Sequence, residues 1–592
     1  DATKTPLADE FSLLEGSSTS LSRVPKPEDS AADRESVLNF SRECQQEVQQ
    51  EKYYTRVRNV KKAHQIQEIG EFQEMDDDVE YILDALQPHN PISTRCLSAI
   101  QLSSKALRDA TKDQSLGLCT ATIMFVLSQD NLNMDLDRDS LELMLSLLES
   151  DVSHADALDD AGLSLQQLQR NKQKVRELCE EVKSHGKAQH LNLDNITVGT
   201  LAMETLLSLT SKRAGEWFKE ELRNLGGLEH IINTICECCR QISDYVVGWT
   251  DALLDKLRKI ERCLRVLENV MEMNEQNQSY ILGYRNGHAI ETLVKLYKLC
   301  DREIALYPTN DQTPKENPGV VIREALVPTL KVLIALTHPF NDRAVGAVFL
   351  GEKEGLFDTS LHLLLQAPNY VPEKCIFELS ILVLLLLINL TMYTKANRSI
   401  IMEANALSDF GSQFAKVPAI KALVEFFYKC EELARMAERN TDDLLESNPK
   451  KYEKKHKTAQ EEVEETVTKL LQKAGHHMEH TMLASYVCLL LGHLLMDNAE
   501  NEKKIRPYLR DATFDDMVKV LEKYYNFMNL TASSEASVVA HIKWTKGIID
   551  YLTKCDSHSS SHQEAVSSTA PSVSRAGAPG GYSYGTSHYS TR

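Results

Sequence analysis

The sequence predicts an all-α protein, an irregular HEAT- or armadillo-like helical solenoid, on three observations. Gly and Pro are sparse, at 24 and 17 of 592 residues. Alternating runs of the kind that mark strands are hard to find. A three-segment helical pattern recurs along the chain. The centre of the pattern is Cys375 to Thr394 (CIFELSILVLLLLINLTMYT), the most apolar stretch of the sequence. Ile381 to Ile388 runs apolar for about two helical turns, whereas a membrane span needs roughly 20 apolar residues. Glu378, Asn389 and the polar flank Thr391 to Arg398 also argue against a membrane helix. A helix that is apolar on every side is buried on every side, so this segment is expected as the central helix of a large helical stack.

Taken in order, Asp1 to Glu43 mixes Ser, Pro and charge with few large apolar residues. That composition buries too little surface to offset chain entropy, so residues 1–43 read as a disordered linker. Folded structure is expected over 44–554. It opens with the charged, aromatic Gln45 to Lys62, then Asp76 to Leu86 (DDDVEYILDAL), whose leading carboxylates suit the positive end of a helix dipole. Apolar helices follow at Arg95 to Lys105 and Leu116 to Leu127.

The repeat then becomes legible as an apolar helix, a polar turn with a short second segment, and a Gly- or Asn-marked turn into another amphipathic helix. Leu201–Leu209, Ala214–Leu222 and Leu228–Ile235 make one copy, with the turn at Gly226-Gly227. Leu264–Val270, Asn277–Leu282 and Ala289–Tyr297 make the next, turning at Asn286-Gly287. Leu330–Leu336, Asp342–Leu350 and Leu356–Leu365 follow, turning at Glu354-Gly355. The fourth is Ile381–Leu390, Asn397–Met402 and Leu407–Phe414, turning at Asn405; the fifth is Tyr486–Leu495, Glu502–Leu509 and Phe514–Tyr525, turning at Asp511. Units of this kind, each burying its apolar face only against its neighbours, define solenoids of about 40 to 47 residues per repeat. Tyr307 to Pro318 reads as a surface loop, the charged stretch at about 440–477 as a solvated insertion, and the Ser-, Gly- and Tyr-rich 555–592 as a disordered tail.

The net charge of −20 opposes a protein that holds nucleic acid by bulk electrostatics. Thirteen cysteines, an odd number scattered through helical text, suit a reducing compartment better than a disulfide framework. No signal-peptide pattern is read. His476 to His480 spells H-x-x-E-H, and Cys236 to Cys239 contains C-x-x-C. The first is a short match in a charged segment and reads as a solvated helix face. The second has no partner pair and no βαβ context, so it reads as buried helical thiols. Asp135, Asp137 and Asp139 imitate the start of a calcium loop, but Ser140 stands in place of the required Gly, and Asp139 with Glu142 reads as a helix capping box. No P-loop, dinucleotide fingerprint or nucleophile elbow occurs. The expectation is a non-enzyme with no cofactor and no metal. Two stretches are candidates for partner contact: the basic, aromatic segment with Tyr54, Arg56 and Arg58, and the polar loop between two apolar helices with Asn133, Asp135, Asp137 and Arg138.

The stretches YYTRVRNVKKAHQIQEIGEFQEMDDDVEYILDAL (Tyr53 to Leu86), RCLSAIQL (Arg95 to Leu102) and LCTATIMFVLSQDNLNMDLDRDSLELMLSLLE (Leu118 to Glu149) resemble the C-terminal domain of Wings apart-like (Wapl) proteins, in particular an insect member. The likeness runs to about Lys554 and includes the LINLT step of the central helix. It implies a nuclear, chromatin-associated cohesin-release factor, not itself an enzyme, that favours opening of the junction between cohesin's SMC subunit and its kleisin. The partners it implies are the cohesin core with its SA-type subunit and a Pds5-type HEAT protein. The sequence departs from the family in two places. The family's long N-terminal region of docking motifs is reduced here to at most Asp1 to Glu43, with no Phe-Gly-Phe motif. Lys105 runs straight into Ala106, where members usually carry about one more helix. The other function class compatible with the repeats is an armadillo- or HEAT-type scaffold or transport adaptor holding an extended peptide. Such a groove needs Asn and Trp ladders in register, and Trp217, Trp249 and Trp544 do not recur in register.

Overall fold

A computed structural model describes residues 114–129, 138–150, 164–340 (except 190, 212–214 and 244), 343–408, 415–446, 478–531 (except 497) and 536–567. The chain forms two compact units, one ending at Asn397 and the other beginning at Arg398.

The first unit is a stack of helices. It starts with α1 (Gln114–Gln129), α2 (Arg138–Leu148) and α3 (Leu165–Ser184). Asp139 lies inside the first turn of α2, where its carboxylate meets the positive end of the dipole. The expected capping box at Asp139 and Glu142 is therefore displaced, because the helix has already begun at Arg138 and Asp139 is its second residue. A capping box does open α3, where Ser164 Oγ accepts from the Gln167 amide and the Gln167 side chain accepts from the Ser164 amide.

Three three-helix repeats follow. They are α4 (Val198–Ser211), α5 (Glu216–Asn224) and α6 (Gly227–Gln241); α7 (Asp251–Met271), α8 (Glu275–Gly283) and α9 (His288–Leu306); and α10 (Pro318–Thr337), α11 (Val345–Gly351) and α12 (Leu356–Leu365). Helix α13 (Glu373–Met392) then starts a fourth. The first helices α4, α7, α10 and α13 pack side by side as one layer, and α6, α9 and α12 form the second. Every residue from Leu379 to Met392 is buried, so the central segment is enclosed on all sides as its composition demands. Helices Glu373–Met392 and Met478–Leu495 are each long and apolar enough to cross a bilayer, and both lie mostly inside the fold.

Two devices repeat with the helices. Gly226, Gly287 and Gly355 precede the third helix of each repeat at φ 80, 86 and 81, a left-handed backbone that glycine enters without a Cβ penalty. Each lets the chain reverse in one step out of the short helix. The second device is an asparagine. Asn277 Nδ2 donates to the carbonyls of Val270 and Lys219 at 2.9 and 3.2 Å. Asn397 Nδ2 donates likewise to Leu390 and Ala347 at 2.8 and 2.9 Å. Asn501 Nδ2 reaches the carbonyl of Leu494, again seven residues back, at 2.7 Å. The amide ties the short helix to the C-terminal end of the apolar helix before it, where carbonyls lack helical partners. This ladder is buried, so it serves packing and not a peptide groove. Asn277→Leu leaves those carbonyls without a donor inside the stack and is expected to cost about 2 kcal/mol, read as a lower urea midpoint. An unchanged midpoint would show that the amide does not hold the turn.

The fourth repeat departs from expectation. The segment read as a helix from Leu407 to Phe414 begins instead as a strand, β1 (Asn405–Ser408), paired antiparallel with β2 (Ala415–Pro418) in the register Asn405 to Pro418 and Ala406 to Val417. Here α14 (Lys395–Glu403) leads not into a left-handed glycine but into Asn405, which is extended. The chain cannot reverse in one residue there, and Ala406 turns inward while Leu407 faces out in strand alternation. The next helix, α15 (Ala419–Glu446), starts beyond Pro418.

The second unit holds this hairpin, α15, α16 (Met478–Leu495), α17 (Ala499–Ile505), α18 (Asp515–Thr531) and most of α19 (Ala536–Ser567). Helix α19 continues beyond Cys555 into the Ser-rich stretch. Its reversal before α18 uses Asp511 at φ 53, the residue that marks the turn in the sequence. Asp556 fastens the helices together, accepting from Arg506 Nη1 at 2.7 Å and from the Phe514 amide at 2.8 Å.

Candidate functional site

The first unit carries a cavity of about 420 Å³ bordered by α4, α7 and the start of α10. Leu148, Leu191, Met203, Ala252 and Val321 give it apolar walls, and the loop with Asn192, Asn195 and Thr197 closes one side. Into this space point charges that the packing has largely removed from water. Arg262 lies 2.8 Å from Glu261 Oε2 and 3.6 Å from Glu204 Oε1. Arg265, one turn on, also pairs with Glu261. Lys331 of α10 reaches Glu268 of α7 at 3.3 Å, extending the charged ridge from helix to helix.

The balance of this cluster is uneven. Burial raises the Glu204 carboxyl above its ordinary range, against the opposing pull of Arg262. Burial likewise raises Glu324, helped by the nearby Glu261 charge. Arg262 Nη2 is buried with no hydrogen-bond acceptor, although a guanidinium has five donors to satisfy. An orphaned donor beside an apolar wall suits an inserted side chain that brings both an acceptor and an apolar body. Among the described residues no group of three or more His, Cys, Asp or Glu is placed to hold a metal ion.

The residues singled out in the sequence fall differently. Tyr54, Arg56, Arg58, Asn133, Asp135 and Asp137 lie outside the described residues, as do His476 and the Lys105–Ala106 junction. Arg138 opens α2 with its side chain 61% exposed and lies 2.6 Å from Glu221 Oε1 of α5. It therefore braces α2 against the next repeat as well as facing solvent. Glu479 and His480 sit in the first turn of α16. Cys236 donates to Thr292 Oγ1 at 3.7 Å, and burial raises the thiols of both Cys236 and Cys239, which keeps them protonated and inert. The Glu204–Glu261–Arg262 cluster is not among the candidates that the sequence marks. Its sequence signal is a charge inside an apolar window, Glu204 in LAMETLLSLT and Glu261-Arg262 in KIERCLRVL.

The family model described as "Wings apart-like protein regulation of heterochromatin" matches residues 59–110 and 103–397. The two stretches meet around the Lys105–Ala106 junction. "Protein wings apart-like" of Drosophila melanogaster is 55% identical over 551 residues, covering 87% of this chain and 31% of the relative. "Wings apart-like protein homolog" of Homo sapiens is 37% identical, covering 85% of this chain and 47% of the relative. "Wings apart-like protein homolog 1" of Caenorhabditis elegans is 24% identical, covering 85% and 72%. The chain thus spans about a third of the fly relative and about half of the human one.

Proposed function

Because the chain belongs to the Wings apart-like family, we propose that it is a non-catalytic cohesin-release factor that works on chromatin in the nucleus. In this reading it binds the cohesin core and a Pds5-type HEAT protein and favours opening of the SMC–kleisin junction, so regulating sister-chromatid cohesion and chromosome organisation. The observation that carries the proposal is the family match across 59–397, which includes all three complete repeats and the buried central helix. The charged ridge over α4, α7 and α10 supports it, because a stack with satisfied internal packing can spend such side chains on a protein partner. The test is a pull-down of this chain against the SMC subunit, the kleisin, the SA-type subunit and the Pds5-type protein, each presented separately. Selective capture of one or two is expected. Capture of none, or of all equally, counts against the proposal and leaves the peptide-adaptor class standing.

The loop from Asn133 to Arg138 is proposed as part of the contact surface, because packing alone demands only a turn between two apolar helices. Replacing Asp135 and Asp137 with Ala is expected to weaken capture of the preferred subunit several-fold with no change in circular dichroism, given about 1 kcal/mol or more for each lost charged contact. Unchanged capture would leave these aspartates only a role in starting α2.

A further inference from the structure

A second cavity, of about 780 Å³, lies on the opposite layer between α6 and α9. Its charge runs against that of the chain. His288 and Lys295 lie seven residues apart on α9 and are exposed along one face, with Arg302 another seven on. Arg285 stands at the mouth and Arg240 on the α6 side. The only carboxylate in the lining is Glu237, and it is engaged by Arg240 at 2.6 Å and by Gln241 at 2.7 Å. Neither Lys295 nor His288 has an ion pair among the described residues. Arg285 is held over the Tyr284 ring at 5.2 Å and makes no ion pair there either.

The mouth is also conformationally committed. Arg285, Asn286 and Gly287 take φ 44, 57 and 86 in succession, a left-handed run that costs free energy at the two non-glycine residues. The far end offers apolar surface. Tyr245 is 78% exposed with Arg302 stacked over its ring at 4.9 Å, and Val247 beside it is fully exposed. Trp249 Nε1 donates to Glu303 Oε2 at 3.1 Å and anchors this loop to α9. From His288 to Arg302 the face runs about 21 Å at the helical rise, the span of about six extended residues.

We propose that the groove between α6 and α9 docks an extended acidic segment of a partner protein, with carboxylates along His288, Lys295 and Arg285 and an aromatic or aliphatic anchor against Tyr245 and Val247. Charge complementarity selects this occupant. A protein of net charge −20 repels a long polyanion over its whole surface, whereas a short acidic segment meets only the local cations and gains the apolar contact as well. Cys236 and Cys239, both protonated, contribute only to the lining. The groove lies on the layer away from the Glu204–Arg262 cavity, so the proposal does not depend on which cohesin subunit that cavity's ridge meets.

The test is fluorescence anisotropy of the full chain with a labelled eight-residue peptide of six Asp or Glu flanking a central Phe-Leu pair. Saturable binding is expected at low salt, weakening as salt rises. Charge reversal by Arg285→Glu with Lys295→Glu, both exposed, is expected to reduce affinity at least about tenfold with the melting temperature unchanged. Val247→Ser should weaken binding without altering its salt dependence. No saturable binding, equal binding of the Asn/Gln version of the peptide, or unchanged affinity in the reversed variant each overturns the proposal. Tighter binding of a single-stranded oligonucleotide of equal charge overturns it in favour of a nucleic-acid groove. Loss of peptide binding in the reversed variant with cohesin-subunit capture intact separates this groove from the proposed release function.

Discussion

Leu385→Asp is expected to melt the C-terminal end of the first unit. Leu385 is 2% exposed at the centre of α13, a helix buried from Leu379 onward and packed against α10, α11 and α12. A carboxylate placed there enters a helix whose own residues from Leu379 to Ile388 are all uncharged and buried. Such burial costs several kcal/mol, which is comparable to the whole stability of a domain at about 5–15 kcal/mol. The stack couples each repeat mainly to its neighbours, so α10 to α13 should lose protection together while α4 to α6 retain more. Circular dichroism should show a lower and broader melt. Hydrogen exchange should place the loss in residues 318–392. Leu385→Ala, which leaves a cavity and no charge, is expected to cost about 2–5 kcal/mol and to keep the fold. A melting temperature unchanged in the aspartate variant would mean that α13 is not the enclosed core of the stack.

The repeat was legible because its punctuation is chemical. A left-handed glycine solves a fixed problem of chain reversal and stands out against helical text, whereas the buried asparagine is visible in the sequence only as the start of the short segments at Asn277 and Asn397. Leu356–Leu365 is recovered to the residue for that reason, lying between Gly355 and a Pro-containing 3-10 turn at Ala367–Asn369. The first helices are longer than their apolar signal. Only Leu264 to Val270 stands out in α7, although the helix begins at Asp251, because its first half is amphipathic and carries Lys and Arg on the exposed side. The hairpin at Asn405 was hidden by the same regularity that revealed its neighbours: the register of the repeat predicts a helix there, and only the missing glycine argues otherwise. Helix α3 leaves little trace in the sequence, since its apolar positions are few and its charges many.

The candidate site was harder to read, for a physical reason. A motif search finds residues close in sequence, but the cavity gathers Glu204 from α4, Glu261 and Arg262 from α7 and Glu324 from α10, residues separated by whole repeats. Stacking brings equivalent faces of successive helices together, so a solenoid's sites run across the repeat and not along it. The local signal was a charge within an apolar window, which a packed snorkelling side chain also produces. Only the burial of Glu204 and the orphaned Arg262 Nη2 separate the two cases.

The second unit is expected to weaken in acid through His493. This residue is 1% exposed in α16, with its ring stacked on Trp544 of α19 at 4.0 Å. Its Nε2 is buried without a hydrogen-bond partner, so the neutral ring fits and a charged ring does not. Burial holds its pKa well below the ordinary value of 6.5, and the positive charge of Arg398 and the neighbouring His541 push the same way. Above pH 6.5 the ring is neutral in both the folded and the unfolded chain, and stability does not depend on it. Below that pH the unfolded chain takes up the proton and the folded one refuses it, so folding loses about 1.4 kcal/mol per pH unit at this site until the lowered folded pKa is reached. Trp544 reports the event directly if Trp217 and Trp249, which lie in the first unit, are replaced by Phe. In that background the urea midpoint read from Trp544 fluorescence should fall steadily from pH 6.5 to pH 5, and His493→Gln should remove most of the fall. An equal pH dependence in the Gln variant would assign the acid sensitivity to other groups and show that His493 accepts its proton in the folded state.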